Sequence, residues 1–298
     1  MTAVVVSSLA GRLLDEPGRY DLPEADYHRD PLRHLGGSAS STTLRKMLPP
    51  SCPALARHAQ LHPQHKSAYD LGTVTHALTL GAGRPIVEVQ ARDWTEAGAA
   101  GRTAKREARA RGAVAMLSKE LAAARAMRDA VHADAEAHAV LTLPGAPEQT
   151  LIWREDVEGG DPVWCRAMLD RWPEPTPDLD LIVGDLKKTA KGLDRDSLQR
   201  TVWQYGYHLQ EDLYRRGYHA VHGVWPEFSF IFVTDEAPHL VRVVQVDAEL
   251  RAIARRQNDE ALALWRTCLA ADTWPGYGSD IAVIGPPSWA RNREDYYR

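Results

Sequence analysis

Three residues in the second half of the chain have the types that phosphodiester hydrolysis requires: Asp170, Asp185 and Lys187. That reaction needs a cation on the scissile phosphate, an activated water and stabilisation of the charge on the leaving oxygen. Mg²⁺ takes carboxylate, carbonyl and water oxygens as ligands, usually with only one or two carboxylates. Two aspartates can hold such a cation. A lysine ammonium can orient or help deprotonate the water and stabilise negative charge.

The local pattern predicts that these residues meet at the ends of adjacent strands. Asp170 closes the second strand of a predicted hairpin, and Asp185 stands near the end of the next apolar strand. Lys187 follows Asp185 by two positions, so both side chains point to the same side of the strand. The carbonyl of Leu186, between them, is free to face the metal. An acid-x-Lys triplet arises about once by chance in such a composition, so a surface ion pair at a strand end stays open as the alternative.

Two further groups are candidates for the same site. His76 ends the run Gly72 to His76 at the start of a predicted helix, from which it could reach the metal or the phosphate. A satisfied core histidine is the alternative. The helix after the Asp-x-Lys strand has an aromatic and amide stripe that suits a phosphate backbone or stacked bases, with a helix–sheet core as the alternative. The stripe consists of Trp203, Tyr207, Gln210 and Tyr214.

The elements around these residues predict an α/β (α+β-like) fold in which a mixed central sheet is flanked by helices. We expect a single domain over 1–298, with a mainly helical part over 1–145 that contributes His76 and a catalytic sheet core over 146–298. The predicted elements of the core are strands Gln149–Glu155, Val163–Trp172, Asp180–Lys187, Glu227–Val233 and Leu240–Val246, and helices Ser197–Arg216 and Ala248–Ala270. The N-terminal predictions are irregular chain over 1–37, helices Ser40–Leu48, Ala54–Leu61 and Ala68–Leu80, and one or two long helices within 95–139.

The composition is that of an ordinary globular protein and excludes several classes of function. The chain has 298 residues with 44% hydrophobic and 26% charged residues. We expect a cytoplasmic protein, because no apolar run approaches the roughly 20 residues of a membrane span and the N-terminus is a poor secretory signal. The three cysteines are far apart, which argues against a disulfide framework, a zinc ribbon or an iron–sulfur cluster. No Walker A or GxGxxG motif is present, so ATP- or NAD-driven chemistry is not expected.

The charge distribution predicts where a phosphate backbone would lie. Net charge is −4, yet 31–69 contains no acidic residue, and Arg92–Arg128 carries nine basic against four acidic residues. Such stretches are either a phosphate-binding surface or a solvated helix face. The individual candidates for DNA contact are Arg45, Lys46, Lys188, Trp203 and Tyr207.

The motifs in chain order resemble the signature of RecB-type nucleases of the PD-(D/E)xK superfamily: G-x-x-x-H, D, D-x-K and Q-x-x-x-Y. They correspond to Gly72 through His76, Asp170, Asp185 through Lys187, and Gln210 through Tyr214. Further pieces resemble the RecE-like branch, that of phage-type exonuclease VIII, and together span about 25–290. They are Tyr27 to Asp30, Ser40 to Leu44, Leu71 to His76, Trp164 to Ala167, Tyr205 to Gln210 and Trp274 to Tyr277.

The resemblance implies a Mg²⁺-dependent exonuclease, with Mn²⁺ as a substitute, that degrades double-stranded DNA ends 5′→3′ and leaves 3′ single-stranded tails for recombination. It also implies a ring-shaped homo-oligomer and a single-strand annealing recombinase as partner. By the same resemblance His76, Asp170, Asp185 and Lys187 are catalytic, with His76 as a further metal ligand. Gln210 and Tyr214 support the site, and Glu148 is a weaker accessory candidate. Lys188 departs from the pattern, where a small polar residue is expected.

Other functions stay open on the sequence. One is a nuclease of the same superfamily that cuts internally or on single strands, with identical catalytic residues. Another is a catalytically idle DNA-binding accessory protein of recombination, against which the intact Asp, Asp and Lys argue. A third is an unrelated metallohydrolase using His58, His62 and His65, which lie in a proline-interrupted segment without HExxH spacing.

Overall fold

The computed structural model describes residues 13–62, 70–177, 179–278, 281–287 and 290. In this part of the chain a six-stranded sheet has the order β1-β4-β5-β6-β7-β8, and β2 and β3 form a separate parallel pair. Only β6 and β7 are parallel in the large sheet, so it is mixed. The strands are β1 (Gly18–Tyr20), β2 (Ile86–Val89), β3 (Val114–Leu117), β4 (Gly145–Glu155), β5 (Val163–Pro173), β6 (Ile182–Thr189), β7 (Glu227–Thr234) and β8 (Val241–Val244).

Helices cover both faces of the large sheet. They are α1 (Glu24–His28), α2 (Ser41–Met47), α3 (Pro53–Leu61), α4 (Asp70–Leu80), α5 (Trp94–Ala110), α6 (Ser118–Ala133), α7 (Ala135–Thr142), α8 (Arg195–Tyr205), α9 (Tyr207–His222) and α10 (Ala248–Ala271). Alternate residues of β7 enter different cores, as expected of a strand buried on both faces. Phe228, Phe230 and Phe232 pack with α8, α9 and α10, whereas Ile231 and Val233 pack with α6 and α7. The predicted fold class, a mixed sheet flanked by helices, is confirmed.

The sheet core follows the sequence periodicity closely. β4 and β5 form the predicted hairpin, joined by the Asp- and Gly-rich segment at 156–162. The predicted strands end within two or three residues of the observed ones, except that β4 begins four residues earlier, at Gly145. The three cysteines are buried and unpaired. Among the described residues, no helix combines the length and hydropathy of a membrane span.

Three predictions of local structure are wrong. The predicted helix Ser197–Arg216 is two helices, α8 and α9, because Gly206 lies between them with a left-handed backbone (φ 69°, ψ 31°). Within 95–139 the wholly buried strand β3 interrupts the helical pattern, since its short apolar run pairs with β2. The chain before residue 38, expected to be irregular, contains α1 and β1, which pairs with β4. Residues 1–12 and the predicted helical positions 68 and 69 lie outside the described residues.

Candidate active site

Three acidic residues stand in a row across β4, β5 and β6. Arg171 pairs with Gly184 in the antiparallel register of β5 and β6, so Asp170 and Asp185 are the next residues to face each other, at the point where the two strands separate. On the other side of β5, the flanking pairs of the β4–β5 ladder place Glu148 opposite Asp170. The sheet register therefore aligns three carboxylates that the sequence separates.

The hairpin is distorted where Glu148 and Asp170 face each other. Glu148 has a left-handed backbone (φ 48°), and the ladder of paired residues is interrupted there. The core that the large sheet forms with α8, α9 and α10 is the principal core. Leu169 and Trp172, three positions apart, both face it, although strict alternation would place them on opposite faces. A non-glycine residue in this conformation costs on the order of 1–3 kcal/mol, and such strain is concentrated at functional sites. The distortion turns the Glu148 carboxylate toward the site.

His76 projects from α4 to the same carboxylates. Its Nε2 lies 2.5 Å from Oδ2 of Asp170, and its Nδ1 lies 3.8 Å from Oε1 of Glu148. Burial alone would lower the pKa of His76, but Asp170, Glu148 and Asp185 outweigh burial and raise it well above its usual range. His76 therefore lies between two carboxylates and orients Asp170. Its predicted role as a metal ligand stays a prediction.

Asp185 and Lys187 are adjacent on one side of β6, as their spacing predicts. The Lys187 ammonium contacts Oδ2 of Asp185, which is 1% exposed. Gln210 on α9 donates from Nε2 to the other oxygen of Asp185 at 2.6 Å. The Leu186 N–H donates to Oδ2 of Asp170 at 2.7 Å, so it faces the gap between β5 and β6. Because the N–H and C=O of one residue in an extended strand point to the same side, the Leu186 carbonyl faces that gap too.

The protonation of the cluster favours an electrostatic role for Lys187. Burial would lower its pKa, but Asp185 and Asp170 raise it above the ordinary value, so the side chain is charged. Burial would raise the pKa of Asp170, but His76 and Lys187 hold it below the usual range. Burial and the neighbouring Asp170 raise the pKa of Asp185, against the opposing effect of Lys187. Asp185 thus binds a proton more readily than an ordinary aspartate. This is expected where an added positive charge would relieve the repulsion between Asp185 and Asp170.

The donor set fits a hard divalent cation. Oδ2 of Asp185 is buried and accepts no well-aligned hydrogen bond. Mg²⁺ is usually held by one or two carboxylates and completed by water and phosphate oxygens. Asp170, Asp185 and the Leu186 carbonyl provide that set.

The predicted aromatic and amide stripe is divided by the break at Gly206. Tyr207, Gln210 and Tyr214 share one face of α9, and the Tyr207 ring lies 4.9 Å from Lys187 Nζ. Tyr214 is buried in the principal core, so it stabilises the packing of α9 behind the carboxylates. Trp203 belongs to α8 and stacks on His208 at 5.0 Å, so the expectation of one continuous face is wrong for this residue.

The predicted DNA-contacting residues differ in their surroundings. Lys188 lies on the opposite side of β6 from Lys187 and pairs with Asp235 at 2.7 Å, so the structure does not place it at the carboxylates. Arg45 donates to the backbone carbonyl of Tyr205 at 2.6 Å. Lys46 stands beside it in the last turn of α2. In the segment Arg92–Arg128, many basic side chains of α5 are exposed.

Sequence reasoning missed the break at Gly206, and it named Glu148 only through the family resemblance. A glycine between two tyrosines inside a helical pattern was a signal for the break. No local signal marks the left-handed backbone of Glu148, which depends on its pairing with β5. His58 and His62 of the metallohydrolase alternative stack on each other at 4.5 Å at the end of α3, while His65 lies outside the described residues.

Comparison with known proteins identifies the family. Residues 40–285 match the family described as a PDDEXK-like domain of unknown function (DUF3799). The chain belongs to this PDDEXK-like family. The match contains every motif residue of the site, from His76 on α4 to Tyr214 on α9. No curated protein sequence matches the chain.

Comparison with solved structures shows a shared fold. An exonuclease candidate from Eubacterium rectale superposes with a TM-score of 0.56 at 12% identity, covering 90% of this chain and 95% of its own. A phage-related exonuclease from Haemophilus somnus 129PT, also 12% identical, covers 79% of this chain and 96% of its own with a TM-score of 0.33. The second score is too low to support an argument, so the shared fold rests on the first.

Proposed function

We propose that this PDDEXK-like protein is a divalent-metal-dependent deoxyribonuclease that degrades double-stranded DNA from its ends. The observation that carries the proposal is the convergence of Asp170, Asp185 and Lys187 where β5 and β6 separate. The separation leaves the Leu186 carbonyl and both aspartates facing one gap, which is the oxygen-rich surrounding that Mg²⁺ prefers. We also propose that the chain forms a single nuclease domain with its helical part supplying His76.

Each residue of the cluster has a distinct task in this hydrolysis. Asp170 and Asp185 would hold the divalent cation, which when bound would supply Lewis-acid stabilisation of the phosphoryl oxygens. Lys187, held as a cation by both aspartates, orients the attacking water and stabilises negative charge on the phosphate. Gln210 fixes Asp185 through its 2.6 Å hydrogen bond. His76 fixes Asp170 and offsets part of the negative charge of the cluster.

The proposal of an exonuclease of RecE type depends on the motifs outside the catalytic cluster. Two of these motifs contact each other through an ion pair, and a third packs against neighbouring elements. Arg166 pairs with Asp30 at 3.1 Å, Trp274 packs on Trp265, and the Tyr277 hydroxyl donates to the Pro50 carbonyl at 3.1 Å. They stabilise the scaffold around the site, and their joint presence supports the RecE-like branch. With it we propose 5′→3′ polarity, 3′ single-stranded products, a ring-shaped oligomer and an annealing recombinase as partner.

The test is digestion of linear and covalently closed circular duplex DNA of one sequence, with one end labelled. We expect loss of the linear DNA in Mg²⁺ or Mn²⁺, survival of the closed circles, and no digestion in excess EDTA, because the ligands are oxygens suited to these ions. Full digestion in EDTA would exclude the metal mechanism. Cutting of closed circles would establish the endonuclease alternative, and preference for single strands the single-strand alternative. Binding without digestion would indicate the accessory protein.

The exposed basic face of α5 is expected to contact DNA phosphates without reading sequence. Arg102, Arg106 and Arg109 are exposed and spaced to share one side of the helix. Each phosphate contact that is lost should reduce the slope of log affinity against log salt by about 0.9. The measurement is duplex DNA affinity at several salt concentrations, in a metal-free buffer, for the variant with all three arginines changed to glutamine.

The matched control removes the same charge from exposed arginines that are scattered over other elements. These are Arg33, Arg154 and Arg256. Its salt slope should stay close to that of the wild type. Equal slopes for wild type and the α5 variant would show that the α5 arginines are only solvated surface.

A further inference from the structure

The junction of α8 and α9 places two tyrosines side by side next to the catalytic lysine. In a continuous helix, residues two apart point to nearly opposite sides. The left-handed Gly206 between Tyr205 and Tyr207 changes this geometry, and their rings stack with centroids 5.6 Å apart and planes 25° from parallel. Tyr205 is 43% exposed, whereas Tyr207 packs against Phe230 and Phe232 of the sheet.

Lysines lie on both sides of this pair of rings. Lys187 Nζ is 4.9 Å from the Tyr207 ring, and Lys191 Nζ is 5.4 Å from the Tyr205 ring. Lys191 also donates to Gln204 at 2.6 Å, which holds its ammonium over the junction. A path of two stacked rings with a lysine at each end therefore runs from the buried carboxylates to the surface.

Contacts with another element hold the junction in place. Arg45 from α2 donates to the Tyr205 carbonyl at 2.6 Å, which ties the end of α8 to another element. A Cβ at position 206 would approach Cδ of Arg45 to 2.5 Å, and the backbone there is left-handed, so both packing and conformation favour glycine. An exposed aromatic ring that is already fixed loses little entropy when a ligand stacks on it.

The chemistry of this surface selects an unpaired nucleotide. Nucleobases stack on aromatic side chains, and lysines beside them bind the phosphates that connect the bases. Bases inside an intact duplex already stack on their neighbours and offer no free face. We propose that Tyr205, Tyr207 and Lys191 form a stacking platform that holds unpaired nucleotides of the strand whose phosphates reach the catalytic carboxylates. The proposal rests on the proposed nuclease function and names the DNA structure that the site accepts.

A second exposed aromatic side chain provides the matched control. Trp225 is 46% exposed and has Arg215 and Arg255 within 6 Å of its ring, at 5.8 and 5.5 Å. It follows the far end of α9, whose 16 residues separate it from Tyr207 by about 24 Å. Three acidic side chains line the same hollow and offset the charge of its three arginines: Glu155, Asp156 and Asp259 against Arg154, Arg216 and Arg255.

The experiment measures binding of two single-stranded oligonucleotides of about 12 nucleotides, within the span of single-strand sites. One oligonucleotide has a base at every position, with the fluorescent base 2-aminopurine at its centre. The other lacks the bases at its central positions. Binding is measured in EDTA to prevent cleavage. Tyr205→Ala should weaken binding of the base-containing strand by about tenfold, in line with the loss of one stacked base. It should leave binding of the abasic strand unchanged and remove the quenching of 2-aminopurine fluorescence. Tyr205→Phe should restore binding, and Trp225→Ala should behave as wild type.

The outcomes separate this proposal from the nuclease function. Equal weakening of both oligonucleotides, or equal weakening by Trp225→Ala, would overturn the platform. If the wild type binds as expected yet digests no DNA in Mg²⁺, the platform stands and the nuclease function fails. If the wild type digests DNA while Tyr205→Ala binds both oligonucleotides normally, the nuclease function stands and the platform fails.

Discussion

Lys187→Ala is expected to lower the single-turnover rate of DNA cleavage by about 10²–10³-fold while leaving Mg²⁺ and DNA affinity nearly unchanged. Lys187 is a charged ammonium in contact with Asp185 and close to Asp170, and nothing in its geometry makes it a metal ligand. A cation directed at the reacting phosphate acts on the barrier more than on ground-state binding. The measurement is cleavage with enzyme in excess over DNA, beside a Mg²⁺ titration.

Lys188→Ala is the matched control for this change. It removes the same side chain from the neighbouring position, but Lys188 lies on the other side of β6 and pairs with Asp235. Its cleavage rate should stay within a few-fold of the wild type, since partly exposed ion pairs contribute about 0–1 kcal/mol to stability. Each variant is first compared with the wild type in thermal unfolding, because Lys187→Ala removes the partner of a buried carboxylate. A folded Lys187→Ala protein that cuts at near wild-type rate would contradict the catalytic assignment.

Asp185→Asn is expected to affect metal binding as well as turnover. The amide keeps the shape of the side chain but removes the negative charge that would bind the cation. We expect the Mg²⁺ concentration for half-maximal cleavage to rise at least about tenfold, and the rate to fall by about 10² or more even at high Mg²⁺. The contrast with Lys187→Ala follows from role, because a ligand contributes to ground-state binding of the metal and an electrostatic group does not.

Asp235→Asn is the matched control for Asp185→Asn. It tests whether the loss of any carboxylate near the parallel strands β6 and β7 changes the Mg²⁺ dependence. Asp235 directly follows β7 and contacts Lys188, away from Asp170. Its Mg²⁺ dependence should match that of the wild type. An unchanged half-maximal Mg²⁺ concentration in Asp185→Asn would mean that Asp185 and Lys187 form a structural ion pair, the alternative that the sequence leaves open.

The sequence by itself determined the features that depend on near neighbours in the chain. The alternation of apolar and polar residues predicted the β4–β5 hairpin and strand β6, because side chains in a strand alternate between faces. The two-residue spacing of Asp185 and Lys187 predicted their shared side for the same reason, and the structure places them in contact. The chemistry of two carboxylates and a lysine then indicated phosphodiester hydrolysis.

Tertiary structure alone decided which distant residues meet. His76 reaches Asp170 across 94 positions of sequence because α4 packs beside the sheet. Glu148 faces Asp170 through the strand register, which is determined by the burial of whole strands against their neighbours and not by any local pattern. The same collective packing brings Arg45 of α2 to the Tyr205 carbonyl at the junction of α8 and α9. Local propensity is a weak influence beside such burial, so these contacts were decided only when the elements packed together.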